Sequence, residues 1–254
     1  MASVWLANYT WPEVEKLLEQ GCHTLLLMLG ATEQHGPHLP LATDTIVAEA
    51  LALDIATRLG KTLVAPIIPL GTSDEHKEFC GTLSLSKATL AGLIYDVGFS
   101  AARHGFKRLL VLSSHGGNYD AIRQGVTLLR QSIANLEVIA LTDLAQAMQL
   151  VVNKKPADLP EAVMGLHAGE RETSQMLYLR PDLVQMERAE VGYVGDMHTI
   201  MPRLMQVGLQ PITANGVLGD PTMATAARGA VYLEQLALAL VATINAFGAS
   251  NGDN

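Results

Sequence analysis

Glu33 and His35 are separated by one residue and followed by Asp44, so a short stretch of chain offers two carboxylates and an imidazole. In an extended segment, residues two apart point to the same side, and one metal ion or a pair of ions can take both side chains. Asp44 stands where a helical segment opens, and the helix dipole and free N–H groups there favour a carboxylate; taken alone it also reads as a plain helix N-cap. His115 lies past a second apolar run and before Gly116 and Gly117, which allow a tight turn and a close approach of backbone to ligand. As a phosphate loop this stretch is poor, because no Lys or Ser/Thr follows the glycines. A third stretch, His167-Ala-Gly-Glu170-Arg-Glu172-Thr-Ser174, adds an imidazole and two carboxylates. By itself it reads as a loop running into a helix cap.

Taken together, Glu33, His35, Asp44, His115 and Glu172 make a five-ligand set of mixed oxygen and nitrogen donors suited to Zn²⁺, Mn²⁺ or Fe²⁺. The absence of Cys from the set disfavours a structural zinc. His167, an imidazole beside the ligand motif that titrates near neutrality, is the candidate general acid for a leaving nitrogen. Glu170 either orients His167 or is itself a ligand. His76, Gly116, Gly117, Asn118 and His198 are candidates to contact substrate, and His38 to brace the metal loop. His104, before Gly105, reads as a helix end, and His23 carries no assignment.

These residues need strand ends to hold them. Four apolar runs have strand length, Thr24–Leu29, Leu63–Leu70, Arg108–Leu112 and Glu137–Leu141, separated by segments of helical spacing at Thr45–Leu59, Lys87–His104 and Tyr119–Ala134. Ser84 and Ser86 are plausible N-caps for the second helix. Buried parallel strands joined by helical crossovers predict an α/β fold, a three-layer α/β/α sandwich with a mainly parallel central sheet. Glu33, His35 and His115 then lie past the C-terminal ends of two strands, where ligand chemistry gathers in open α/β sheets. Further helices are expected at Leu144–Val152, Glu172–Leu179 and Thr222–Phe247, with a loop from Pro156 to Pro160. Residues 192–219, rich in Gly and Pro, read as an irregular excursion over the site.

A chain of 254 residues with 49% hydrophobic and 17% charged residues is read as one domain over 1–254. Its net charge of -8 argues against a nucleic-acid partner. No apolar run of spanning length and no basic leader is evident, so no membrane association and a cytoplasmic location are expected. Cys22 and Cys80 form no disulfide framework and are expected as reduced thiols.

Five stretches resemble, in order, those of the creatininase (creatinine amidohydrolase) family. They are Gly30-Ala-Thr-Glu-Gln-His-Gly-Pro-His-Leu-Pro-Leu-Ala-Thr-Asp44, Glu75-His-Lys-Glu-Phe-Cys-Gly-Thr-Leu-Ser84, Ser114-His-Gly-Gly-Asn118, His167-Ala-Gly-Glu-Arg-Glu-Thr-Ser174 and Gly216-Val-Leu-Gly-Asp-Pro221. The resemblance implies two divalent metal ions per subunit bridged by Asp44, and a homo-oligomer, commonly a hexamer built as a trimer of dimers. Creatinine-cleaving members carry a Tyr and a metal-binding Glu directly after the histidine that matches His115. Gly116 and Gly117 stand there in this chain, which leaves Glu172, or second Glu170, to supply the missing carboxylate. Those members also use pocket tryptophans, whereas Trp5 and Trp11 lie near the N-terminus. The Gly-Gly form is similar to relatives that include a pyrimidine deformylase, a mycofactocin-maturation peptidase and hydrolases of sugar-derived or cyclic compounds.

The resemblance therefore implies a hydrolase in which metal-activated hydroxide cleaves an amide-type C–N bond (cyclic amide, formamide or related) of a small polar molecule other than creatinine. Two other readings stand beside it. The same metal site could open a C–C or lactone bond of a sugar-derived cyclic ketone, or bound ions could serve only as a scaffold holding subunits together.

Overall fold

The apolar runs assemble into a parallel sheet. In the computed structural model, residues 3–143, 146–147, 150 and 160–250 are described. Helix α1 (Trp11–Glu19), absent from the sequence reading, starts at a capping box between Thr10 and Glu13. There follow β1 (Thr24–Leu29), α2 (Thr43–Leu59), β2 (Thr62–Val64), α3 (Lys87–Arg103), β3 (Arg108–Ser113), α4 (Tyr119–Ser132) and β4 (Glu137–Ala140). After these come α5 (Glu161–Met164), α6 (Glu170–Leu179), α7 (Met197–Val207) and α8 (Ala226–Ser250). The strand order is β2-β1-β3-β4, and each neighbouring pair is parallel.

Side-chain alternation along β1 divides the core in two. Leu25, Leu27 and Leu29 pack against Leu90 and Ile94 of α3 and Ile122, Val126 and Leu129 of α4. Leu26 and Met28 face the other way, onto Leu51 and Ile55 of α2 and Leu233, Ala237, Leu240 and Ile244 of α8. Burial on both faces is why β1 is a continuous apolar run rather than an alternating one. The expected three-layer sandwich is what forms.

Some boundaries differ from expectation. β2 stops at Val64 because Pro66 has no N–H for the ladder; the chain rejoins β1 at an isolated bridge between Leu29 and Ile68. Ser86 is the N-cap of α3, accepting from the Thr89 N–H. The Gly/Pro-rich excursion contains α7, with Pro202 inside it. Of the helix expected at Leu144–Val152 only residues 146, 147 and 150 are described, all helical, and most of the Pro156–Pro160 loop lies outside the described residues. Against the expectation of no spanning run, Ala226–Phe247 has the length and hydropathy (1.5) of a membrane span. Leu233, Ala237, Leu240 and Ile244 turn part of that apolar surface into the core, while Val231, Leu238 and Phe247 are exposed.

Helices α6 and α8 are pinned by a buried carboxylate. Glu170, fully buried, accepts from Tyr232 Oη at 2.7 Å and Ser174 Oγ at 2.8 Å. Tyr232→Phe removes a charge-assisted bond from a group that water cannot reach, so we expect stability to fall by about 1–3 kcal/mol. Denaturant unfolding with an unchanged slope would report it; an unchanged midpoint would show that Ser174 suffices.

Candidate metal centre

The path of the chain creates the crevice. From β1 the α2 crossover leads to β2 on one side, and the α3 crossover then leads to β3 on β1's other side. The C-terminal ends of β1 and β3 are therefore neighbours whose following chains diverge, which is where open α/β sheets bind ligands. The loop after β1 carries Glu33 and His35, and the chain after β3 carries His115. Ala42 occupies the N-cap of α2, so Asp44 sits within the first turn rather than at the cap.

The structure brings the five expected ligands together. The two oxygens of Asp44 face different rings: Oδ1 lies 3.5 Å from His35 Nε2, and Oδ2 lies 3.3 Å from His115 Nδ1. Glu33 Oε1 is 3.3 Å from His115 Nδ1, and Glu172 Oε2 is 3.8 Å from His35 Nε2. His167 Nδ1 comes within 3.7 Å of Glu33 Oε1.

Main-chain carbonyls fix three of the rings. His35 Nδ1 lies 3.2 Å from the Glu33 carbonyl, His115 Nε2 3.0 Å from that of Thr72, and His167 Nε2 2.7 Å from that of Gln34. A carbonyl only accepts, so those nitrogens carry the hydrogens. The other nitrogens, His35 Nε2, His115 Nδ1 and His167 Nδ1, then face the carboxylates, and in the neutral rings of His35 and His115 their lone pairs have the orientation of metal-binding histidines. Both oxygens of Glu33, Asp44 Oδ2 and His35 Nε2 are buried without a hydrogen-bond partner. Buried orphan donors and acceptors of this kind are unfavourable unless something else satisfies them. The set fits a divalent ion in its chemistry.

Charge balance within the cluster is tight. Burial pushes His35 down, but the carboxylates of Asp44, Glu172 and Glu33 outweigh it and raise its pKa to about 9. His115 is likewise raised well above 6.5, burial being overcome by Glu33 and Asp44. Asp44 and Glu33 are lowered despite burial, chiefly by His35 and by His115 respectively. His167 is held well below 6.5 by burial and by His35. Burial and His167 bring His76 to about 3, and burial and His35 bring His38 to about 4.

Other expected residues are placed differently. Glu170 does not join the cluster: its oxygens bind Tyr232 and Ser174, with Arg228 at 3.7 Å, so it neither orients His167 nor reaches an ion. Asn118 is fully buried and braces the crevice, donating to the Gly30 carbonyl and Ser113 Oγ and accepting from the Thr72 N–H. That use of its amide leaves it no substrate contact. Gly117 is dictated by packing, since a Cβ there would lie 2.1 Å from the Thr72 carbonyl oxygen. Gly116, Gly117, His76 and His115 line a cavity of about 610 Å³ that also takes in Glu33, Asp44 and Glu172. His38 donates to or accepts from Thr173 Oγ1 at 2.9 Å, bracing the loop against α6. His198 lies on α7, and its side chain is outside the described residues.

Three residues at the site were missed from sequence. Gln34 lies between the candidate ligands Glu33 and His35 and contacts both His76 and His167. Glu75 approaches His76 Nε2 at 3.8 Å, and burial raises its pKa. Arg171 donates to Glu172 Oε1 at 2.8 Å while the Ala168 N–H donates to Oε2, so both oxygens of that carboxylate are held. Adjacency to the motif residues was the only available signal for any of them.

Comparison with known proteins points to one family. The creatininase family model, described as creatinine amidohydrolase, matches residues 7–244. A mycofactocin precursor peptide peptidase of Mycolicibacterium smegmatis is 36% identical over 210 residues, covering 81% of this chain and 77% of the relative. A creatinine amidohydrolase of Pseudomonas putida is 35% identical over 205 residues, covering 73% and 75%. Among solved structures, a mutant creatininase of the Zn-Zn type superposes with TM-score 0.76 at 30% identity, covering 95% of this chain and 97% of that one. Creatininase Mn gives 0.73 at 28% identity, with the same coverage.

The shifted histidines set a pH dependence for the chelator-treated protein. A raised pKa contributes stability that is complete below the unfolded value, 6.5, and lost as pH rises through the folded one, about 9 for His35. The lowered carboxylates contribute fully once pH exceeds their unfolded values, and the lowered pKa values of His76, His38 and His167 penalise folding below 6.5 and not above it. The thermal midpoint should therefore peak near pH 6.5 and fall towards pH 9. A midpoint that is flat or rising over that interval would contradict the assigned charges.

Proposed function

The chain belongs to the creatininase family, and we propose that it is a metal-dependent amidohydrolase cleaving an amide-type C–N bond of a small polar substrate other than creatinine. In this reading Glu33, His35, Asp44, His115 and Glu172 hold two divalent ions, zinc, manganese or iron. The observation that carries it is Asp44, whose two oxygens face histidines delivered by two different strand ends. Glu33 stands with His115 on one side and Glu172 with His35 on the other, so that with Asp44 these five side chains would hold the two ions.

Divalent ions bound there supply acidified water and a Lewis acid for a carbonyl oxygen. The protein's own part is to move the proton. His167 is neutral, its Nε2 hydrogen is committed to the Gln34 carbonyl, and its Nδ1 lone pair faces the cluster. Nδ1 thus takes a proton from the attacking water and returns it to the leaving nitrogen, acting as base before it acts as acid. Gly116 and Gly117 present no side chain to the cavity, which supports a substrate shaped unlike creatinine. As part of the same reading the chain assembles as a homo-oligomer, a hexamer arranged as a trimer of dimers.

His35→Ala and Asp44→Ala should each strip metal, read by elemental analysis, and abolish hydrolysis across a panel of amides and formamides while circular dichroism is unchanged. Full activity of metal-free Asp44→Ala protein would overturn the mechanism. Turnover of lactones but of no amide would move the reading to ring opening at the same site. His167→Ala should keep its metal and lose roughly 10²–10⁴-fold in turnover; loss of an ion instead would make His167 a ligand. Sedimentation of a monomer at micromolar concentration would refute the assembly.

A further inference from the structure

The hydrogen bonds around Gln34 can be assigned in only one way. The Gly36 N–H donates to Gln34 Oε1 at 2.9 Å, which identifies the oxygen end of the side-chain amide. The other end, Nε2, has two hydrogens and three neighbours: the Gly216 carbonyl at 3.1 Å, His76 Nδ1 at 2.9 Å and His167 Nε2 at 2.9 Å. His167 Nε2 is itself 2.7 Å from the Gln34 carbonyl and must carry a hydrogen to bond it, so it has no lone pair to offer. The two amide hydrogens therefore go to Gly216 and to His76 Nδ1. His76 is left with its hydrogen on Nε2, the nitrogen 3.5 Å from Glu33 Oε1 and 3.8 Å from Glu75 Oε1.

Accordingly, we propose that Gln34 is a positioning residue that holds His76 in the Nε2–H form, making His76 a hydrogen-bond donor into the cavity and not a third-site metal ligand. By distance alone Glu33, His76 and His167 are grouped closely enough to hold an ion. The hydrogen on Nε2 removes the lone pair that such an ion would need. His76 lines the cavity, so its N–H meets an acceptor oxygen of the bound substrate. The packing agrees: Gly216, at φ 75, sits so close that a Cβ would lie 2.1 Å from Gln34 Oε1. Any side chain there would displace the amide. That the acceptor is a substrate oxygen rests on the amidohydrolase reading above; the tautomer does not.

The test is long-range ¹H–¹⁵N correlation on zinc-loaded protein with ¹⁵N-labelled histidine, His76 being assigned by the signal lost in His76→Gln. Wild type should show the Nε2–H pattern. In Gln34→Glu the carboxylate can only accept, so the His76 hydrogen should move to Nδ1, and Gln34→Leu should give a mixture. His76→Gln should retain the wild-type zinc content. An Nδ1–H pattern in wild type, a tautomer unmoved in Gln34→Glu, or zinc lost from His76→Gln would each overturn the proposal. The wild-type spectrum decides the tautomer even where a variant fails to fold. On any amide that the wild type hydrolyses, His76→Gln should raise KM several-fold more than it lowers kcat. Absence of turnover by every protein would defeat the functional reading and leave the tautomer result standing.

Discussion

The concentration of charge in a buried crevice governs this structure. Glu33, Asp44 and Glu172 are 1%, 4% and 7% exposed, and His35 and His115 no more than 5%. Each of these carboxylates would be costly to bury alone. They are tolerable only as a mutually neutralising group, so the loops that deliver them must arrive together and in register. Much of the polar chemistry outside the cluster serves that requirement. The Thr45 hydroxyl donates to the Ala31 carbonyl, and Ser114 donates its hydroxyl to the Asp44 carbonyl and its N–H to that of Leu29, tying α2 to both strand ends. Asn118 closes the same seam from the β3 side.

The sheet supplies what the loops cannot, a fixed separation between the ends of β1 and β3. Six consecutive residue pairs, from Thr24 with Arg108 to Leu29 with Ser113, set the register between those strands. Because side-chain direction alternates along a strand, a slip of one residue would exchange the two cores and turn the flanking loops away from each other. The positive φ of Ala168, 52, belongs to the same economy of placement. It is a conformation that a residue with a Cβ rarely adopts, and there it aims an N–H at Glu172.

How much of this the sequence discloses depends on the range of the interaction. β1, β3 and β4 are legible because burial on both faces writes an unbroken apolar run, and the start of α3 because Ser86 is a local cap. The meeting of Glu33, His35, Asp44, His115 and Glu172 is legible because carboxylates and imidazoles recur just past two strand ends and in the first turns of two helices. The shortness of β2 was readable in Pro66 but outweighed by the apolar residues around it. Helix α7 was hidden by counting glycines and prolines across the excursion, although Met197, Met201 and Leu204 carry a helical spacing. Gln34, Asn118 and Glu170 were misjudged or passed over because their roles lie in partners distant along the chain: Gly216, Thr72 and Tyr232. No spacing rule announces an amide whose acceptor is 182 residues away.

The carbonyls of Glu33, Gln34 and Thr72 that orient His35, His167 and His115 belong to the main chain, which every amino acid shares. Replacing a side chain elsewhere in the cavity leaves those three acceptors in place as long as the backbone keeps its path. The cluster and the wall of the cavity beside it are thus separately mutable. A lineage of such enzymes can drift from one substrate to another by changing the wall, carrying the same centre forward unaltered.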